Sequence, residues 1–410
     1  MTPHISPSFR RDRFTWLAYL MLGYFAYLQA TLGPLMPFLR SELHMSYTVS
    51  GLHLSAFALG MALAGIIGDH LVHLWGRTRI FWGGGAGMAA GALLFILGHH
   101  PALTITSALI MGLPGTLVMI MIQAALSDRH GERRAIALTE SNVAASISSG
   151  LAPLLVGSLQ RAGLGWRSAL LLGVGAWATL LLRFWREPIP KNTEDSQLAA
   201  CLPLPASRKL PATYWAYWLV VFLGVSVEWC VIFWGADFLE TNVGLKKVDA
   251  STLMSVFFVA MVIGRTTGSR LSRSVTIRTL HPIAVTIAIA GFFPFWLARW
   301  APLNIAGLFL AGLGIANLFP LTLSAASDCV LPHQADVASS RITLAAGMAI
   351  LITPQILGSL ADQTGIMHAY SVAAVFLMVA AGAILLAGRL ALRQSAGKAN
   401  QNSLRQRFRA

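Results

Sequence analysis

Long apolar runs fill most of this sequence, and they constrain its fold more than any other feature. Runs of about 20 residues, the length that an α-helix needs to cross a bilayer, lie at 16–38, 50–72, 78–98, 103–126, 136–159, 166–184, 214–239, 251–271, 279–298, 303–326, 337–360 and 369–392. Backbone groups in lipid must bond within their own segment, which favours helices. We therefore predict an all-α integral membrane protein with 12 transmembrane helices.

The charged content, the cysteine spacing and the motifs of the sequence give no indication of an enzyme or a metalloprotein. Charged residues make up 11% of the chain, against about 25% in a soluble domain. The three cysteines, Cys201, Cys230 and Cys329, lie far apart and form no CxxC pair, so they predict neither a disulfide framework nor a zinc site. We find no GxSxG, HExxH or P-loop lysine motif. The sequence predicts no catalytic residues, no metal site and no cofactor.

The basic residues are distributed unevenly along the chain. If the N-terminus is cytoplasmic, 24 of the 30 Lys and Arg residues fall in the segments on the inner side. This asymmetry fits the positive-inside rule. It predicts a multi-pass protein of the inner, cytoplasmic membrane with both termini in the cytoplasm. Because topology accounts for the net charge of +14, we expect no nucleic-acid partner.

A polar, proline-bearing segment divides the apolar runs into two groups of six. It reads "REPIPKNTEDSQLAACLPLPASRKLPA" and predicts a cytoplasmic linker at 186–212. The expected organisation is a six-helix bundle at 1–185, that linker, and a second six-helix bundle at 213–393. The Gln-, Asn-, Ser- and Arg-rich end at 394–410 is predicted to be a disordered cytoplasmic tail.

The two groups of helices repeat each other at a nearly constant shift. Gly112 matches Gly312 at a shift of 200, and "PLLVGSL" at 153–159 matches "PQILGSL" at 354–360 at 201. "PFLRSEL" after the first helix also matches "DFLETNV" after the seventh at 200. This register predicts two parallel-oriented six-helix repeats, an arrangement that puts a substrate site near the membrane midplane.

The end of the second predicted helix carries a motif. In "GIIGDHLVHLWGRTR", Gly65 and Asp69 have G-x-x-x-D spacing, and Gly76, Arg77 and Arg79 follow. This resembles the G-x-x-x-D-R-x-G-R-R loop between helices two and three of the major facilitator superfamily. "GRTTGSRLSR" after helix eight is similar to the second copy of that motif. With the helix count, linker and repeats, the resemblance implies the fold of that superfamily and the function of a secondary active transporter.

Two departures from the family pattern limit what is carried over. Four extra residues, at 70–73, separate Asp69 from Gly76, and because four residues are close to one helical turn they predict a longer second helix. In helix four, many proton-coupled antiporters of the family have an Arg four residues before a Gly. Ala108 stands at that position before Gly112, so the resemblance implies no coupling through that arginine.

Charged residues at the inner helix ends form a predicted cytoplasmic gate, meaning ion pairs with the opposite half of the protein that are made in one state of the transporter and broken in another. Its predicted members are Gly65, Asp69, Gly76, Arg77, Arg79, Asp128, Arg133, Arg134, Glu140, Asp328 and Arg341. Glu140 is a second candidate for proton coupling, but because it follows Arg133 and Arg134 by one or two turns we expect it to be a partner in the gate instead. The alternative is that these charges are solvated and serve only to set topology.

In the superfamily, helices one, four, seven and ten line the substrate cavity, and polar residues fall in these four runs here. The predicted cavity residues are Gln29, Gln123, Trp229 and Asn317. The three amide side chains equally suit hydrogen bonds between helices. Trp229 equally suits packing or anchoring at the membrane interface.

Glu228 is the only charge between Tyr214 and Ala236, in "GVSVEWCVIFWG". A charge at bilayer depth costs about 2.5 kcal/mol or more, and no Lys or Arg lies in the central third of any run to offset it. Since an apolar setting disfavours the ionised form, Glu228 is predicted to couple transport to a proton. The alternatives are a hydrogen bond to a substrate, a counter-charge for a cationic substrate, and a protonated structural residue.

The lack of a central cation also restricts the expected substrate. Carriers of anions usually need fixed positive charge at the midplane, so we expect a small solute that is either neutral and polar or amphipathic, with amphipathic cations included. The predicted function is alternating-access, proton-coupled transport of that solute by a monomer in the lipid bilayer, with H⁺ as a second partner. A non-transporting receptor or lipid-handling protein on the same scaffold is the alternative.

Overall fold

The computed structural model describes residues 10–190, 210–330 and 334–407, and most of these residues are helical. The long helices of this part of the chain are α1 (Arg13–Glu42), α2 (Tyr47–Trp75), α3 (Arg77–Leu97), α4 (Pro101–His130), α5 (Arg134–Arg161), α6 (Arg167–Phe184), α7 (Ala212–Val243), α8 (Lys247–Leu271), α9 (Ile277–Leu297), α10 (Ala301–Asp328), α11 (Ala335–Thr364) and α12 (Ser371–Arg407). A 3₁₀ turn, Gly131–Arg133, precedes α5, and a single helical turn, Ile366–Ala369, precedes α12. The predicted all-α fold is confirmed.

Ten segments of the described chain are long and apolar enough to cross a membrane, and one of them, Pro101–Arg161, contains both α4 and α5. Most helices extend a few residues beyond the apolar run that predicted them. Polar caps account for this at two helix starts: Asp12 accepts the backbone N–H of Thr15 at α1, and Ser46 accepts that of Val49 at α2. Such caps satisfy N–H groups that the helix leaves unpaired.

The ends of α2 and α12 can be compared with what the sequence predicted for them. Helix α2 continues through 70–73 to Trp75, so the extra turn that the spacing predicts is confirmed. Helix α12 continues to Arg407, whereas a disordered tail was expected from 394. That segment contains no proline and many good helix formers, so the helix can propagate from the membrane-spanning turns before it. Linker residues 191–209 lie outside the described residues.

The chain divides into two compact units. The first is Met1–Leu204 together with Lys246–Ser255, and the second is Pro205–Leu245 together with Val256–Ala410. The division at Leu204 falls within the predicted linker. The first turns of α8 belong to the first unit, which the sequence did not predict.

In the first unit, α1 packs mainly against α5, while α4 packs against α2 and α3. Tyrosines of α1 tie the helices together, because the Tyr24 hydroxyl donates to the Gly85 carbonyl at 3.1 Å and that of Tyr27 donates to the Ala169 carbonyl at 2.8 Å. The Ser251 hydroxyl donates to the Pro34 carbonyl at 2.7 Å. In lipid these hydroxyls have no water to bond, so their carbonyl partners fix the packing.

In the second unit, α7 packs against α10, α11 and α12. The indole of Trp234 donates to the Pro354 carbonyl of α11 at 3.0 Å, and the Ser226 and Thr353 hydroxyls lie 2.8 Å apart. The Tyr370 hydroxyl donates to the Cys230 carbonyl at 3.2 Å. These bonds hold one side of α7 against its neighbours.

The repeat seen in sequence has a packing counterpart within each unit. In α4, a Cβ added to Gly112 would overlap the Phe57 carbonyl of α2. In α10, a Cβ added to Gly312 would lie 2.9 Å from the Phe257 carbonyl of α8 and 2.8 Å from the Ala260 Cβ. Both pairs of residues are related by a shift of 200. Glycine is therefore required for close helix contact at equivalent places in the two repeats.

Replacing Gly112 with alanine tests this contact. We expect Gly112→Ala to lower the free energy of unfolding by about 1–3 kcal/mol, because a backbone carbonyl must move to admit the methyl group. The matched control is Gly65→Ala in α2, where an added Cβ meets no atom within 4 Å and the change should stabilise by roughly 0.5–1 kcal/mol. Thermal unfolding of the purified proteins in detergent measures both. Equal effects of the two changes would contradict the packing assignment.

Candidate functional site

Glu228 lies at the middle of α7, 16 residues after Ala212 and 15 before Val243. Ser226 and Cys230, two residues to either side, bond to α11 and to Tyr370. Residues i−2 and i+2 point to the opposite side of a helix from residue i. Glu228 therefore faces away from the tightly bonded side of α7.

Glu228 forms an ion pair that the sequence did not predict. Nη2 of Arg265 in α8 donates to Oε1 of Glu228 at 3.1 Å. The Glu228 side chain is 12% exposed and that of Arg265 is 45% exposed. The expectation that Glu228 has no counter-charge is wrong. Arg265 lies six residues before Leu271, the last residue of α8, and its long side chain reaches the middle of α7.

The turn of α8 that carries Arg265 is held by Asn317 of α10. The Asn317 Nδ2 donates to the Gly264 carbonyl at 3.0 Å and to the Leu313 carbonyl at 3.1 Å. A Cβ added to Gly268, one turn further along α8, would overlap the Asn317 amide. The absence of a side chain at Gly268 therefore leaves the space that the Asn317 amide occupies. It also lines a mostly apolar cavity of about 220 Å³ between α8, α9 and α10.

The other predicted cavity residues have varied settings. Gln29 is half-buried, and its Nε2 lies 3.6 Å from the Met61 sulfur. Gln123 is exposed, and its backbone carbonyl accepts a hydrogen bond from the Ser127 hydroxyl. Trp229 is half-buried beside Glu228. Of the predicted set, Glu228, Trp229 and Asn317 belong to the second unit, where Asn317 contacts the residue next to Arg265.

At the end predicted to be cytoplasmic, Arg77 and Asp128 form a close ion pair in the first unit. Their charged atoms lie 2.5 Å apart, and their side chains are only 10% and 16% exposed. Gly76 positions Arg77 at the start of α3, and its φ of 78° with ψ of 157° is a conformation that essentially only glycine adopts. The Gly-Arg pair of the loop motif thus has a structural basis in this chain.

Glu140 of α5 is paired with Arg11 and also bonds to Tyr19. Its carboxylate accepts hydrogen bonds from Arg11 at 2.5 and 2.7 Å and from the Tyr19 hydroxyl at 3.0 Å. The sequence did not indicate Arg11 as the partner, and the contact forms because α1 packs on α5 and brings Arg11 to this face. Glu140 remains at the predicted gate, with a partner 129 residues away.

Asp12 forms the neighbouring contact at the same end. It caps α1 through the Thr15 N–H at 2.8 Å and pairs with Arg129 at 2.6 Å. Burial raises the pKa of Asp12, but the hydrogen bonds from Thr15 and the charge of Arg129 outweigh burial and lower the pKa below its ordinary value.

The remaining predicted gate residues are mostly at the surface. Arg341 is half-buried, with its guanidinium 5.5 Å from the centre of the Trp215 ring. Arg133 is also half-buried. The exposed members are Gly65, Asp69, Arg79, Arg134 and Asp328.

The long apolar helices of the described chain fall into two units, and one ion pair lies at the middle of α7. The Major Facilitator Superfamily family model matches residues 15–354. The chain belongs to this superfamily, as the loop motif predicted.

Several relatives and solved structures are named as transporters, and together with the family match they indicate a membrane transporter rather than an enzyme. An uncharacterised MFS-type transporter of Yersinia pestis is 25% identical, with 92% of this chain and 96% of the relative covered. The cyanate transport protein CynX of Escherichia coli is 22% identical, with 73% and 77% covered. The crystal structure of a bacterial homolog of the human lysosomal transporter Spinster has a TM-score of 0.74 at 17% identity, with 93% and 98% covered.

The two roles of Asp12 can be separated by substitution. We expect Asp12→Ala to lower the free energy of unfolding by about 1 kcal/mol through loss of the cap, and Asp12→Asn to cost less because asparagine also caps helices. Since the pKa of Asp12 is lowered in the folded protein, its charge stabilises at neutral pH. That contribution should disappear as the pH falls below about 4. Melting temperatures of both variants across pH measure this, and a stability difference between wild type and Asp12→Asn that persists at the lowest pH would contradict it.

Proposed function

We propose that this protein is a proton-coupled secondary active transporter that moves a small solute across the cytoplasmic membrane by alternating access. The observation that carries the proposal is the ion pair between Glu228 and Arg265 at the middle of α7. Membership of the superfamily supports transport, and the ion pair supports the choice of coupling residue.

The pair suits proton coupling because its net charge changes when Glu228 binds a proton. Ionised, Glu228 neutralises Arg265, and each charge offsets the cost of the other at bilayer depth. Protonated, Glu228 no longer attracts the guanidinium, and Arg265 carries an uncompensated charge. The two states thus favour different surroundings, which is the requirement for a proton to bias a conformational equilibrium.

The ion pair also bears on the substrate. The expectation of a neutral or amphipathic cationic solute rested on the absence of a positive charge near Glu228, and Arg265 removes that premise. The relative named a cyanate transport protein supports a small solute, and cyanate is an anion. Gln29, Gln123, Trp229 and Asn317 remain proposed cavity residues, with Asn317 acting through its bond to the turn that carries Arg265.

The proposed cytoplasmic gate is centred on Arg77 and Asp128. Both residues lie in the first unit, and their short, poorly exposed ion pair supports a fixed arrangement of charge at the inner end of α3 and α4, from which the proposed gate contacts are made and lost. The remaining proposed members are Gly65, Asp69, Gly76, Arg79, Arg133, Arg134, Glu140, Asp328 and Arg341. The charge asymmetry of the sequence supports cytoplasmic termini, and the proposed functional form is a monomer.

Substitution of Glu228 tests the coupling. Labelled solutes are screened for uptake into proteoliposomes with an imposed pH gradient. We expect Glu228→Gln to reduce gradient-driven uptake by roughly tenfold or more, because glutamine cannot bind and release the proton that the carboxylate at bilayer depth would carry. Uptake by the variant should also lose its dependence on pH. Glu132→Gln, a matched change at an exposed glutamate of the 3₁₀ turn, should leave uptake unchanged.

Two results would oppose this proposal. Uptake by Glu228→Gln with the pH dependence of the wild type would contradict proton coupling through Glu228. Solute binding without any flux would favour the alternative, a non-transporting receptor or lipid-handling protein on the same scaffold.

The gate is tested at Arg77. We expect Arg77→Gln to slow uptake severalfold while solute binding persists, because the change removes an ion pair that lies outside the binding site. Arg186→Gln, at an exposed arginine beyond the end of α6, is the matched control and should transport normally. Rates from single time courses and affinities from equilibrium binding separate the two effects. A loss of binding with an unchanged maximal rate would contradict the gate assignment.

A further inference from the structure

Resting on the proposed function, we infer that Arg265 becomes an anion-binding group when Glu228 is protonated, and that the transported solute is a small monovalent anion carried together with one proton. The inference names the substrate class of the same site. It replaces the expectation of a neutral or cationic solute.

The first support is the geometry of the guanidinium. An arginine carries five N–H donors in a planar fork that matches a carboxylate or a similar anion in two parallel bonds. In the described structure, Arg265 contacts Glu228 through Nη2 alone, at 3.1 Å. By contrast, Arg167 uses both Nη1 and Nη2 on Glu42, at 2.7 and 2.6 Å. Arg265 therefore keeps donors available for a second acceptor.

The second support is exposure. The Arg265 side chain is 45% exposed, whereas that of Glu228 is 12% exposed. A guanidinium near mid-membrane cannot present this much surface to hydrocarbon without a large cost, so its open side faces water or a polar ligand. A solute that enters from this side meets the arginine before it meets the glutamate.

The bond network on α8 keeps Arg265 in place when its partner changes. Asn317 donates to the Gly264 carbonyl, the residue before Arg265, and to the Leu313 carbonyl of its own helix. Gly268, which has no side chain, leaves space for the Asn317 amide beside this turn. Asn317 is therefore a positioning residue for the anion site rather than a ligand.

Charge balance sets the valence of the solute. With Glu228 ionised, the pair is neutral and an added anion would leave a net negative charge at bilayer depth. With Glu228 protonated, one monovalent anion on Arg265 restores neutrality, while a divalent anion would again leave an excess. One proton binds to the Glu228 carboxylate and one anion binds to Arg265. Both leave on the other side, so no net charge moves with them.

Other charged groups on the elements around this pair lie nearer the ends of the membrane spans. Among the side chains that the structure describes, they are Asp237 and Glu240 on α7, Lys247, Asp249 and Arg270 on α8, Arg278 on α9, Asp328 on α10, Arg341 and Asp362 on α11, and Arg389 on α12. Arg265 is the partner that contacts the Glu228 carboxylate. The pH dependence of anion binding is therefore assigned to Glu228.

The test measures thermal stabilisation of the purified full-length protein by nitrate, thiocyanate, formate and methanesulfonate, each as its sodium salt at matched ionic strength. Sodium sulfate and tetramethylammonium sulfate, at the same ionic strength, are the divalent and cationic comparisons, and neither salt contains a monovalent anion. Wild type, Glu228→Gln, Arg265→Gln and Arg265→Lys are compared at pH 6 and pH 8. The glutamine at 228 imitates the protonated carboxyl.

We expect Glu228→Gln to bind at least one of the monovalent anions roughly tenfold more tightly than wild type at pH 8, since the competing carboxylate is neutral. Its affinity should be independent of pH, and wild type should approach it as the pH falls. Arg265→Gln should lose the effect, and Arg265→Lys should retain a weaker one because it keeps the charge without the fork. Arg265→Lys also guards against misfolding as the explanation for loss.

Two results would overturn the inference. One is stabilisation by tetramethylammonium or sulfate that equals or exceeds that by every monovalent anion. The other is equal anion affinity in wild type and Glu228→Gln at both pH values, including no binding in either.

Failure of the inference is distinguishable from failure of the proposed function. If Glu228→Gln abolishes pH-driven uptake but no anion binds, coupling stands and the substrate class is wrong. If anions bind as expected while uptake keeps its pH dependence in Glu228→Gln, coupling through Glu228 is wrong.

Discussion

Hydrocarbon offers no hydrogen-bonding partner, and this constraint determines most of the structure. Each backbone N–H and carbonyl must be satisfied within the chain, so the membrane-spanning segments are helices. The hydrophobic effect does little to hold helices together in lipid, and close contact and hydrogen bonds take its place. The carbonyl bonds of Tyr24, Trp234 and Tyr370 and the glycine contacts of Gly112 and Gly312 perform this role in their units.

The same constraint makes charge informative. At the predicted cytoplasmic ends, ion pairs such as Arg11–Glu140 and Asp12–Arg129 are partly exposed, and water shares the cost of their charges. Glu228 and Arg265 do not lie at a helix end, since their charged groups meet at the middle of α7. Their charges are retained at a cost, which makes this pair the strongest functional candidate in the described chain. Within the pair Glu228 is the more buried side chain and Arg265 the more exposed one, so the proposed proton site lies beside the inferred anion site.

Much of the fold could be predicted from local pattern. Apolar runs gave the long helices because helix length and bilayer thickness are matched, and the constant shift indicated the repeat that reappears as Gly112 against Phe57 and Gly312 against Phe257. The loop motif predicted the superfamily. The candidate site was predicted only in part. Glu228 stood out as a lone charge in its run, whereas Arg265 was counted among the basic residues of the inner side.

The helices, the two repeats, the superfamily and the position of one unusual carboxylate could all be predicted from the sequence, because each depends on composition or spacing along a single stretch of chain. The partners of the charged residues became known from the packing of the helices. Arg265 is 37 residues from Glu228, and Arg11 is 129 residues from Glu140. Such contacts depend on which helices pack together and how each is rotated, and the local period of one helix contains neither fact.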